Sequence, residues 1–124
     1  MASNKADHGQ EQKKVFDAHD TNVRYHFNDT DMDFNFGTLV LGSTVNHGVE
    51  IGEAFYTVSK IKDVDAASWQ EEWFKMARLA EARGEKSLAG GHKVSARDQL
   101  QRASYYYRIA NLDPELSGQL LKLI

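Results

Sequence analysis

Residues 68–112, SWQEEWFKMARLAEARGEKSLAGGHKVSARDQLQRASYYYRIANL, decide the fold. Trp69, Trp73, Met76, Ala77, Ala80, Gly84, Ser87 and Leu88 recur near the helical period, which predicts an apolar stripe, bulky at its start and small further on. Ser68 and Glu71 have the spacing of a capping box, so the helix is predicted to begin there. Gly90-Gly91 ends it, and Ser95 with Asp98 predicts the cap of a second helix. Ala96, Leu100, Ala103, Tyr107 and Ala110, flanked by Tyr106 and Ile109, form its apolar face. The two helices, about 30 and 25 Å long at about 1.5 Å per residue, fold back on each other as a hairpin. Their stripes leave surface that something else must cover. Tyr105-Tyr106-Tyr107 spreads three phenols around most of the second helix, so at least one points away from the hairpin seam.

Downstream, Asp113-Pro114 breaks the second helix, and Glu115 to Ile124 reads as a short amphipathic helix carrying Leu116, Leu120, Leu121 and Leu123. Upstream, Ile51, Ala54, Phe55 and Val58 predict a helix from about Ile51 to Ile61, closed by a turn at Asp63 and Asp65. Phe34, Phe36, Leu39, Val40, Leu41 and Val45 form the most apolar stretch. A short apolar run fits a strand or a helix; we read a helix that stops at Gly48. Alternating acids at Asn28-Asp29-Thr30-Asp31-Met32-Asp33 resemble half a calcium loop. Phe34 stands where the loop needs glycine and Val40 where it needs the closing glutamate, so the run reads as a solvated acidic turn that favours a following helix. His47, Glu50 and Glu53 could share a metal only on an unbroken helix, which Gly48 and Gly52 interrupt; they read as a helix-terminal histidine and two solvated acids. No metal and no cofactor is expected. Residues 1–14 are polar and charged, the composition of a disordered tail, and 15–33 form a poorly defined arm, either a short helix or an extended segment. Residues 34–124 form the helical domain.

The 124 residues suffice for one domain but fall short of a typical hydrolase, kinase or dehydrogenase. A formal charge of -3 with mixed signs offers no basic stripe for nucleic acid and no polybasic patch for a membrane surface. Cysteine is absent, which excludes disulfides, zinc-thiolate sites and thiol nucleophiles. Without an apolar leader or a run of about 18 apolar residues, the chain is expected to be cytoplasmic.

Trp69 with Glu72-Trp73, Gly91-His92 followed by Ser95-Ala96-Arg97, and Arg102-Ala103-Ser104-Tyr105-Tyr106-Tyr107-Arg108-Ile109-Ala110 together resemble the N-terminal helical region of α/β-hydrolase-fold proteins. The group is the one holding 2,6-dihydroxypseudooxynicotine hydrolase and the esterase-like and polyketide-transferase-like proteins of fungal pathways. The resemblance runs from about Phe34 to Asn111. It implies an all-α, lid-type fragment lacking the α/β catalytic sheet, which in the complete protein covers a serine hydrolase or acyltransferase of secondary metabolism. It also implies a hydrolase catalytic domain or a second copy of the chain as partner, and Trp69, Trp73 and Tyr106 as a wall of the substrate pocket. The serine elbow of that family, G-x-S-x-G, occurs nowhere in the 124 residues, so no catalytic residue is assigned and the chain alone is expected to be inactive. The alternative is a small helical module that binds a protein partner through exposed aromatics.

Overall fold

The computed structural model describes residues 24–112; the predicted tail, the start of the arm and the helix from Glu115 lie outside them. Four α-helices and no strand occur among the described residues: α1 (Thr30–Asn35), α2 (Ile51–Val58), α3 (Ala66–Ala89) and α4 (Lys93–Ala110). A π-helical turn (Phe36–Val40) and a 3₁₀ turn (Leu41–Thr44) continue α1.

The α3–α4 hairpin is the centre, as its periodicity requires. Trp69, Trp73, Met76, Ala77, Ala80 and Gly84 of α3 are buried, with Ala96, Ala103, Tyr106, Ile109 and Ala110 of α4. Gly84 lets the helices close up: a Cβ there would stand 2.7 Å from the Leu100 side chain and 3.3 Å from its backbone nitrogen. Gly91, at φ 80°, supplies the left-handed residue after α3. Leu88 does not join the stripe; it is 55% exposed beside the hairpin tip.

Both predicted caps move N-terminal. The capping residue of α3 is Asp65, whose carboxylate accepts from the Ser68 N–H at 3.1 Å, while the Ser68 hydroxyl accepts from the Lys62 N–H at 3.0 Å. Glu71 turns outward to Lys75 (3.3 Å), so no capping box forms. The second helix begins at Lys93, after His92 and without a side-chain cap, instead of at Ser95.

The chain covers the hairpin's bulky half with its own residues. Phe27, Met32, Phe36 and Val40 from the N-terminal side, with Val49, Ala54, Val58 and Ile61, join the same buried cluster as the two tryptophans. Phe27 lies 6.1 Å from both Phe36 and Trp69, ring centre to ring centre. Fully burying one large apolar side chain contributes about 1.5–3 kcal/mol, so this cover is a substantial part of the core. Phe27 and Met32 of this cover come from the stretch that read as an arm and an acidic turn. Asp29 does start a helix, accepting from the Met32 N–H at 2.9 Å. Asp33 is not solvated: it is 3% exposed and accepts from the backbone N–H groups of Tyr25, His26 and Phe27 at 2.8–3.0 Å. That carboxylate pulls the incoming chain over Phe36. The helix predicted from Phe34 starts at Thr30 and its helical turns run to Thr44, after which His47, not Gly48, takes the left-handed region, at φ 63°.

Candidate functional site

Three consecutive phenols face three different neighbours, because successive helical residues are rotated by about 100°. The Tyr105 hydroxyl accepts from the Asn46 amide at 3.1 Å. Tyr107 donates to the Glu81 carboxylate on α3, which raises its pKa. Tyr106 is fully buried, its ring 5.7 Å from that of Trp73, which is in turn 5.8 Å from Trp69. The expected inward residues at this level were Tyr107 and Leu100; Tyr106 holds the core position and those two are half-buried.

Tyr106 reaches the densest polar node of the described structure. Its hydroxyl donates to Glu53 Oε1 at 2.6 Å and accepts from the Glu50 N–H at 3.1 Å. Arg83 of α3 approaches Glu53 Oε2 at 3.3 Å, and Arg102 of α4 brings Nε to 3.4 Å of Oε1 as an ion pair without hydrogen-bond alignment. One carboxylate from α2 is thus gripped by side chains of both hairpin helices. Burial, then the hydrogen bond to Glu53, pushes the Tyr106 phenol far above its usual range. Glu50 caps α2, accepting from the Gly52 and Glu53 N–H groups at 2.9 and 2.7 Å; these bonds lower its pKa. The reading as two solvated acids holds for Glu50, an exposed cap, and is corrected for Glu53, whose side chain is only 16% exposed and forms the node. His47 stands apart in its turn, and among the described residues no three His, Cys, Asp or Glu side chains gather as a metal site.

Trp69, Trp73 and Tyr106 do lie together, as one layer of rings without exposed surface. The Trp69 indole donates to the Ile109 carbonyl at 2.8 Å; the Trp73 indole N–H has no hydrogen-bond partner among the described residues. Two open grooves flank the layer. One, about 430 Å³, lies along α4 and is lined by Leu100, Ala103, Ser104, Tyr107, Arg108 and Glu81, with Asn111 at its end. The other, about 150 Å³, lies between α2 and α3, where Tyr56 and Leu79 are exposed beside Met76. No signal in the sequence marked Glu53 as the centre. Its spacing from Arg83 and Arg102 has no local period, and only the closed hairpin brings them together.

These features define a helical unit whose core is aromatic and whose described residues include no catalytic sheet. No family model and no solved structure matches the chain. Curated fungal proteins do. It is 39% identical over 71 residues to an α/β hydrolase of Penicillium citrinum, covering 57% of this chain and 17% of that protein. A hydrolase of Pyricularia grisea is 38% identical over 76 residues, covering 60% of this chain and 16% of the relative. The 20-hydroxy-prefusarin hydrolase of Gibberella moniliformis is also 38% identical over 76 residues, covering 60% and 18%. The chain is therefore related to a segment of α/β hydrolases, and it spans less than a fifth of the length of the curated relatives it matches.

Proposed function

We propose that this chain is the lid portion of a serine α/β-hydrolase-like protein of fungal secondary metabolism. In the complete protein the chemistry would be hydrolysis of an ester, amide or carbon–carbon bond, or acyl transfer; the lid itself holds no triad. The observation that carries this reading is the pairing of a unit that is helical throughout its described residues with hydrolase relatives of which it matches only 17%. Exposed Ile51, Phe55, Tyr56 and Leu79 support it, as apolar surface that a catalytic domain or a second copy would cover. On this reading Trp69, Trp73 and Tyr106 shape the pocket wall from behind: their packing fixes the helix surface that faces the substrate. The proposed site of action is cytoplasmic. No helix among the described residues is long and apolar enough to cross a membrane.

A second reading, a helical interaction module, is favoured by the way residues 24–61 close the hairpin's core without a partner domain. One measurement tests the absence of a triad and a second separates the two readings. The chain alone is expected to leave p-nitrophenyl acyl esters intact; turnover abolished by a serine-directed inhibitor would overturn the assignment of a triad-free lid. The genomic sequence downstream is expected to encode a G-x-S-x-G within about 200 codons, roughly one domain's length. Its absence would favour the module.

A further inference from the structure

We infer that residues 47–64, centred on α2, form a strap that is pinned on the hairpin by the Glu53 carboxylate and opens as a unit while α3 and α4 stay folded. Apolar packing holds the strap through Val49 and Ile61 near its ends and through Ala54 and Val58 of α2. Within α2 itself the buried side chains are the smaller ones, Ala54, Thr57 and Val58, while Ile51, Phe55 and Tyr56 are 57, 40 and 55% exposed, Phe55 lying edge-on to Phe36 at 5.3 Å. With eight residues it is far too short to persist as an isolated helix. To this packing is added one concentrated polar contact: Tyr106, Arg102 and Arg83 all converge on Glu53, and Tyr106 also takes the Glu50 N–H.

Both ends of the strap sit on strained joints. His47 has φ 63° and Val64 φ 61°, and they are the only non-glycine residues with positive φ among the described residues. A β-branched residue in that region is a true outlier and persists only where the surroundings hold it. Opening the strap frees both joints to relax. The closed state thus sets the apolar packing and one polar pin against two strained joints. This inference stands independently of the hydrolase reading.

Amide hydrogen exchange on the full chain, resolved by peptide, tests it. In Glu53→Gln the side chain keeps its size and loses its charge. Exchange across 51–58 is expected to speed up about ten-fold or more, with the middles of α3 and α4 unchanged. Val64→Asn replaces the strained valine by a residue that tolerates the left-handed region, and is expected to slow exchange across the same residues. Equal acceleration across all three helices in Glu53→Gln would overturn the inference, as would unchanged exchange in 51–58. Faster exchange of the strap in Val64→Asn would do so too, and that variant keeps the test alive if Glu53→Gln fails to fold.

Discussion

Replacing Tyr106 by phenylalanine removes one oxygen and strands two partners, since that hydroxyl donates to Glu53 and accepts from the Glu50 N–H. The ring stays, so its packing on Trp73 is preserved and the loss is polar. A hydrogen bond to a charged acceptor contributes about 1.5–3 kcal/mol, and Tyr106→Phe is expected to destabilise the chain by about that amount. Tyr105→Phe loses only an exposed bond to Asn46 and is expected to stay within about 0.5 kcal/mol of the parent. Urea unfolding followed by tryptophan fluorescence measures both; equal midpoints for the two variants would refute the central role given to Tyr106. The three phenols illustrate what a sequence of like residues conceals. Their helical rotation was readable, but which one faces inward depended on the pitch of α4 against α3, and the expected Tyr107 lies one residue from the observed position.

At the scale of the element, the hairpin was legible because its stripe repeats over many turns, and each repeat corrects errors in the last. Helix starts were not, because a cap is a single local contact with rival candidates. Ser68 and Glu71 met the spacing rule, yet Asp65 lies three residues upstream and takes the Ser68 N–H itself. Asp65→Ala is therefore expected to cost about 1 kcal/mol, the usual loss of a helix cap. Glu71→Ala should cost no more than about 0.5 kcal/mol, because Glu71 serves only an exposed pair with Lys75. Thermal unfolding followed by circular dichroism decides between the caps, and the reverse ranking would restore the capping box. The acidic run at Asn28 to Asp33 was misjudged for a related reason. Its failure as a calcium loop was plain from Phe34 and Val40, but nothing local announced that Asp33 would turn inward to gather three backbone N–H groups.

For the molecule as a whole, the sequence left open what covers the hairpin, and the residues from Phe27 to Ile61 supply much of that cover. Closure depends on pairings 30 to 56 residues apart, such as Arg83 with Glu53 and Tyr106 with Glu50, which no periodic pattern encodes. The same long-range contacts set the response to pH. The Tyr106 phenol has a raised pKa in the folded chain against 10.0 for the free group, so the folded state holds its proton more tightly. Its contribution is fully present below pH 10 and declines as pH rises above that value, by up to about 1.4 kcal/mol per pH unit. Glu50 acts in the opposite sense. Its pKa is lowered from 4.5 by the Gly52 and Glu53 N–H groups, so its smaller, solvent-screened contribution is present above that value and is lost as pH falls. Stability is therefore expected to be flat across neutral pH and to fall on both sides. Tyr107 and Lys75, whose pKa values are also raised, add to the alkaline fall, so the parent curve alone does not isolate Tyr106. The slope of Tyr106→Phe does: its unfolding free energy should decline less steeply between pH 10 and 12 than the parent's, whatever its starting value. Parallel slopes over that interval would mean that the buried phenol does not couple ionisation to folding, and the node at Glu53 would then be open to water.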